Sequence, residues 1–397
     1  MSGATGQSGP RTDLRPAVEQ VRALAAKHAE ETDEAARFPV AVLDELRATG
    51  LLGLLVPAEY GGLGGGPDEL LDITMELGRA DMSVAMIFSM HCQQVAGVVH
   101  HAGPRLAGEL LPLVAAGRMY LASVTTEAGK GGHLLTATAG LTAEDDGLDI
   151  DRFAPIVTGG EYADGFLITM RSPEARSAGD VSLVYAHRDQ LTITPSGDWN
   201  PLGMRASHST ALRLTGRIPE HQVVGEHGQF RTVVLNTFGP LAHLGWAASW
   251  LGTASGALSR VLRLLRSPDG RKGANLDSEL LMTRLSRSRQ RLETVHALMR
   301  HTAEVVTRVR AEGDDLSRPR YQMLINSLKI TASEECHRAV EDLIDAVGLR
   351  HGYLKGSPTG LERALRDLRS AALNYSNDRL HLADGKLALL DAEVRFA

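Results

Sequence analysis

Two histidines lie inside apolar runs, His91 in FSMHCQQ and His243 in PLAHLGW. Histidine titrates nearest to neutral pH, so each is a candidate for proton transfer. A histidine on an apolar helix also serves as a core residue whose ring nitrogens are hydrogen-bonded. Phosphate binding is a second candidate chemistry, at GGLGGG, residues 61–66. A glycine loop cradles phosphate when it joins a strand to a helix. Here no strand pattern precedes the loop and no basic residue follows it, so the run reads as a turn between helices. Arg284, Arg287 and Arg291 recur at helical spacing. Such a stripe suits a solvated face or a dock for an acidic partner. Cys92 and Cys336 are too few for a disulfide framework or a four-thiolate metal site, and no metal site is expected.

The elements that must hold these residues follow from length and pattern. The chain has 397 residues, too many for one ordinary core and suited to two or three packed domains. Hydrophobic residues make up 43% and aromatics 4%, a balance that favours helix packed on helix. The formal net charge of -6 gives no support to nucleic-acid binding. Residues 1–13 are polar, lack the apolar core of a signal peptide and read as a disordered tail. No apolar run approaches the roughly 20 residues needed to span a bilayer, so no membrane association is expected. Low cysteine usage points to a reducing cytoplasm.

Three parts follow along the chain. Residues 14–118 are helical, with a buried helix expected over 69–102. Residues 119–229 form a β-domain, with short strands at 134–142, 155–158, 166–171, 181–187, 191–194, 210–216 and 221–225. Residues 230–397 return to helix, at about 230–266, 277–313 and 319–348 and again from near Pro358. Long helices with short connections predict an antiparallel bundle. The fold class is therefore α+β multidomain: an N-terminal helical domain, a central β-domain and a C-terminal four-helix bundle.

Five landmarks stand in a fixed order: LVPAEYGGLG at 55–64; SVTTEAGKGG at 123–132; PIVTGGEYADGFLI at 155–168; LGMRASHSTALRL at 202–214 with IPEHQVVGE at 218–226; and Lys329 followed by AVGLRHGY at 346–353 and LERALRDLR at 361–369. In this set the chain resembles the acyl-CoA dehydrogenase superfamily, over about residues 15 to 390. The resemblance implies a flavin, FAD with FMN as the alternative, between the β-domain and the C-terminal bundle. Val124, Thr126, Ile156 and Thr158 fall where the family sets backbone and hydroxyl groups against the isoalloxazine ring, whose edge needs neutral donors and acceptors in an apolar slot. Gly131 and Gly132 fall at the flavin phosphates, with glycine where the family has serine. Arg266 falls where the family reaches a neighbouring subunit's flavin, although the surrounding LLRSPDGRKG departs from the usual pattern. Relatives are homodimers or homotetramers.

The same resemblance sets the expected chemistry. An acyl-CoA dehydrogenase removes the α-proton of a thioester with a carboxylate while hydride passes to the flavin. Eight residues beyond Asp367, where that Glu is usual, stands Tyr375, in LNYSND. Asp378, three residues further, is the nearest carboxylate and the candidate base. His91 and His243 are the other catalytic candidates. The first functional reading is α,β-dehydrogenation or oxidation of an acyl thioester, on coenzyme A or on a carrier protein for which the arginine stripe would be the dock. The alternative is a monooxygenase on the same fold, supplied with reduced flavin by a partner reductase, which needs no α-carboxylate; GLR…LERALRDLR resembles that branch. A non-catalytic scaffold is the third.

Overall fold

The computed structural model describes residues 13–129, 134–145, 147–268 and 275–397. Its helical elements are α1 (Arg15–Ala35), α2 (Val40–Ala48), α3 (Pro67–Ala80), α4 (Met82–His101), α5 (Pro104–Ala115), α6 (Phe230–Val233), α7 (Gly239–Arg266), α8 (Glu279–Ala311), α9 (Pro319–Gly348), α10 (Leu361–Arg369) and α11 (Asn377–Ala388). Between α5 and α6 lie β1 (Leu121–Val124), β2 (Thr142–Glu144), β3 (Gly147–Ala154), β4 (Gly165–Arg171), β5 (Val181–His187), β6 (Leu191–Ser196), β7 (Ala211–Pro219) and β8 (Val223–Val224). The order helical, β, helical is the one the sequence predicts.

The helix expected over 69–102 is two helices. Asp81 is extended (φ -153°, ψ 122°), and its carboxylate accepts from the Val84 N–H at 3.1 Å, ending α3 and capping α4. By length and composition α4 is apolar enough to cross a membrane, against the expectation of no such run. Of its most apolar window, 89% is buried inside the protein, where it packs on α3, α7 and β1.

The β-part is two four-stranded sheets. One runs β1-β4-β5-β8, with β1 parallel to β4; the other, β2-β3-β7-β6, is antiparallel. Residues 134–141 and 155–158 carry no strand. Strand β3, which the sequence reading passed over, pairs along its length with β7, from Gly147 opposite Pro219 to Ala154 opposite Leu212. Its inward face is Leu148, Ile150, Arg152 and Ala154. The arginine in that buried row breaks the apolar alternation by which strands are found.

In the C-terminal part, the helix expected from 230 to 266 is interrupted by a π-turn at Val234–Phe238. Such a turn misaligns backbone carbonyls, and here side chains take them up. Gln322 donates to the Leu235 carbonyl at 3.2 Å, Arg310 to Asn236 at 2.7 Å and Gln93 to Phe238 at 3.0 Å. The helix expected from 358 is instead α10 and α11, separated at 370–376. Helices α3 and α7 cross in close contact at Gly252, where an added Cβ would stand 2.3 Å from the Met75 carbonyl oxygen. Gly252→Ala must push the two helices apart and is expected to cost about 1–3 kcal/mol in urea unfolding, because overpacking is relieved only by backbone shifts.

All three parts meet at α10. Arg366 pairs with Asp33 of α1 at 2.7 Å, and Arg205, in the loop before β7, donates to the Asp33 carbonyl at 2.7 Å. The Asp367 carboxylate accepts from the Met204 N–H at 2.7 Å.

Candidate functional site

Strand β1 delivers Val124 and Thr126 to the loop that follows β3. The Thr126 hydroxyl donates to the Ile156 carbonyl at 2.8 Å and accepts from the Ile156 N–H at 3.3 Å. Two residues on, the Thr158 hydroxyl accepts from Ser209 at 3.0 Å. Among the described residues the Thr158 hydroxyl donates to nothing, so its proton is available to a ligand. Val124 is fully buried and its carbonyl accepts from Thr169 at 3.3 Å, while Ile156 is 50% exposed beside Thr126. Val124, Thr126, Ile156 and Thr158 are thus drawn together into a rim of neutral donors and acceptors with an exposed apolar side chain. That donor set fits the edge of a flavin ring.

The rim rests on a buried ion pair. Arg152 is 1% exposed, pairs with Glu127 at 3.0 Å and donates to the Thr126 carbonyl at 2.7 Å. Glu127 also accepts from the N–H groups of Thr138 and Ala139, at 2.9 and 2.8 Å. The pair ties β1, β3 and the 134–139 loop into one unit. Gly131 and Gly132 lie outside the described residues, as do Arg271 and Lys272, the other two basic residues of LLRSPDGRKG that could meet a flavin diphosphate.

His91 is fully buried with both ring nitrogens occupied. Nδ1 accepts from the Leu121 N–H at 3.0 Å and Nε2 donates to the Leu52 carbonyl at 2.9 Å, which fixes a neutral tautomer. Burial pulls its pKa down to about 4. The ring joins α4, β1 and the turn at Leu52, and no nitrogen is left for substrate or oxygen. The expectation of a proton donor at His91 gives way to a packing role.

A second constellation forms in the bundle. His243, on α7, has Nδ1 3.1 Å from the Ile325 carbonyl and its ring 5.8 Å from that of Trp246; burial pulls it to about 4, with nearby Lys329 adding to the shift. Lys329 is fully buried on α9. Its Nζ donates to the Tyr375 carbonyl at 2.8 Å and to Asn377 Oδ1 at 2.7 Å, and lies 5.8 Å from the Trp250 ring centroid. Burial draws this amine down to about 7 against the pull of Glu334. Tyr375 itself is 36% exposed in a left-handed turn, φ 52°. The structure thus gathers His243 and Tyr375 about Lys329, a residue the sequence marked as a landmark and not as a site. The signal was available: Lys329 falls in a stripe with Ile325, Leu328, Ala332 and Cys336, all buried, and a lysine in a core stripe asks for a partner.

Asp378 is not part of this group. It is exposed in the first turn of α11, where a carboxylate favours the helix dipole, and among the described residues it makes no hydrogen bond or ion pair. Its surface position corrects the expectation of a base aimed inward.

Arg266 ends α7 and lines a cavity of about 510 Å³ with Arg79, Arg263, Arg289, Glu293 and His296, none of them from the Thr126 rim. Two arginines of the stripe, Arg284 and Arg291, are met by α9, while Arg287 is exposed. Arg284 donates to the Asp345 carbonyl at 2.6 Å, and Arg291 meets Asp342 at 3.0 Å and also pairs with Glu335. The loop at 61–66 spends its N–H groups internally: Gly61 on Ala58, Gly62 on Pro57, Leu63 on Gly53, Gly64 on Val56 and Gly65 on Leu54, all backbone carbonyls, and Gly66 on the Glu69 carboxylate at 2.9 Å. It holds none out for phosphate.

Comparison with known proteins adds an independent line. The family model described as acyl-CoA dehydrogenase, N-terminal domain, matches residues 12–118, and that described as acyl-CoA dehydrogenase, C-terminal domain, matches residues 244–378. A probable acyl-CoA dehydrogenase, FadE25 of Mycobacterium tuberculosis, is 27% identical over 248 residues, 61% of this chain. That match spans 63% of the relative's length, less than two thirds. Dibenzothiophene monooxygenase of Rhodococcus qingshengii is 24% identical over 361 residues, 87% of this chain and 85% of the relative. Among solved structures, FMN-bound TdsC from Paenibacillus sp. A11-2 superposes with a TM-score of 0.83 at 23% identity, covering 96% of this chain and 98% of that one.

Proposed function

The chain belongs to the acyl-CoA dehydrogenase family of flavoprotein oxidoreductases, and from that premise we propose that it is a flavin-dependent monooxygenase, fed with reduced flavin by a partner reductase. One observation carries the choice over thioester dehydrogenation. The turn at 370–376, where the family resemblance looks for a carboxylate, presents Tyr375, and the nearest acid, Asp378, faces solvent. The amine of Lys329 is buried behind that turn and bonded to it. Removing an α-proton requires a base within hydrogen-bond reach, and an oxygen-transfer reaction does not. The relative matched over 87% of the chain, a monooxygenase by name, supports the same reading.

A bound flavin would supply two electrons and the activation of oxygen, one oxygen atom going to substrate and the other to water. Thr158 would donate to the ring edge, Thr126 and the Val124 strand end would fix its height, and Ile156 would cover apolar ring surface. The Arg152–Glu127 pair would keep this rim rigid. We take the cofactor as FAD or FMN.

The test sets the two enzymatic readings against each other. Anaerobic titration should give tighter binding of reduced than of oxidised flavin by about tenfold or more, equivalent to about 1.4 kcal/mol. With a flavin reductase, NADH and ¹⁸O₂, dibenzothiophene or indole as a probe should gain labelled oxygen. Bleaching of bound FAD by butyryl-CoA or octanoyl-CoA without oxygen would establish the dehydrogenase reading instead, with Asp378 or Tyr375 restored as the candidate base.

A further inference from the structure

We propose that Lys329 is the positioning residue of the 370–376 turn: its buried side chain holds Tyr375 and the start of α11 against the bundle, and so shapes the wall where the family's base would stand. This rests on the reading above in placing that turn at the active site.

The geometry is specific. An ammonium has three donors and no acceptor. Two of the three are spent on the turn, one on the Tyr375 carbonyl and one on Asn377 Oδ1. Asn377 is itself oriented for this. Its amide nitrogen donates to Ser333 Oγ at 3.0 Å and to Glu334 Oε1 at 3.3 Å, which turns the oxygen toward the amine. Ser333 follows Lys329 by one turn of α9 and Glu334 is its neighbour, so one short stretch of the helix grips the beginning of α11. The third direction faces the Trp250 ring, a contact that suits a cation.

Two costs show that the arrangement is held and not incidental. Tyr375 occupies the left-handed region at φ 52°, which a tyrosine keeps only when its surroundings over-determine it. A buried amine is also expensive, since a methionine of similar length would fill the same stripe without desolvation. Both costs fall on one hydrogen bond, between the strained residue's carbonyl and the buried amine. The charged or titratable groups around them are His243 from α7, Glu334 on α9 and Arg379 on α11, the last acting on Tyr375.

The test is hydrogen exchange on the FMN-loaded full-length protein, comparing wild type with Lys329→Met. Amides of 371–377 should exchange about tenfold or more faster, a local opening of the turn, while those of α9 on either side of residue 329 change little. Flavin affinity should be unchanged, and in whichever assay gives turnover kcat should fall while KM for flavin holds. Unchanged exchange in the turn, or equal acceleration through the whole bundle, would overturn the proposal, the second outcome marking Lys329 as a general core residue. If Lys329→Met does not fold, Asn377→Ala removes one acceptor and should loosen the same turn by a smaller factor; an unaltered turn would count equally against the clamp. Absence of any turnover in wild type would defeat the functional reading and leave the exchange result to decide the clamp.

Discussion

Arg152→Met is expected to destabilise the protein by about 3–5 kcal/mol, the usual cost of stripping one partner from a buried ion pair, and to weaken flavin binding about tenfold or more. Arg152 sits on the inward face of β3 between Ile150 and Ala154, and burial pushes its guanidinium below the ordinary range while Glu127 opposes the shift. Methionine fills much of the volume, so the loss is electrostatic and not a cavity. Without the cation, the Glu127 carboxylate keeps its bonds from Thr138 and Ala139 but loses the Arg152 guanidinium at 3.0 Å. The Thr126 carbonyl loses its donor at the same time, which frees the strand end that carries the rim. Urea unfolding and titration with FMN and FAD measure the two effects. The double variant Arg152→Met/Glu127→Gln should recover most of the stability, because it removes both charges. A single-variant loss below about 1 kcal/mol, the range of an exposed pair, with flavin binding intact, would show that the pair does not support the rim.

What the sequence made readable follows from what pattern encodes. Helical periodicity located α8 and α9 closely, and the end of α7, because each buries one continuous stripe against its neighbours. It ran α3 and α4 together, because the break at Asp81 is a one-residue cap inside a long apolar stretch. It passed over β3 because Arg152 occupies an inward position, and the partner that makes this tolerable, Glu127, lies 25 residues earlier. The rim residues Thr126 and Thr158 were accessible through the ordered landmarks; the bonds that join them through Ile156 and Ser209 were not. His91 and His243 looked alike as histidines on apolar helices. Their surroundings separate them: His91 is closed by two backbone bonds, and His243 shares its environment with Lys329. Contacts between α9 and the turn before α11 span 46 to 48 residues, and no local pattern reports them.

Asp367→Asn should change how stability depends on pH. Asp367 is 5% exposed, and its pKa is raised to about 7, first by burial and then by the neighbouring charge of Asp81, against the Met204 N–H and Arg363. In the unfolded chain the carboxyl titrates near 3.8. Between these two values the native state binds the proton and the unfolded state does not, so stability falls as pH rises from about 4 to 7 and levels off above. At about 1.4 kcal/mol per unit the full difference is about 4 kcal/mol, an upper figure because the surrounding charges adjust. Asparagine mimics the protonated form and keeps an oxygen for the Met204 N–H. The variant should therefore match wild type near pH 4 and exceed it increasingly up to pH 7, with a constant gain beyond. Urea midpoints at pH 5, 6, 7 and 8 for both proteins give the difference curve directly. Parallel curves would mean that Arg363 keeps Asp367 ionised throughout. The acid joins the Met204–Arg205 loop to α10, and α10 leads straight into the turn that carries Tyr375. Asparagine should preserve the bond from the Met204 N–H while removing the pH dependence that the carboxyl brings.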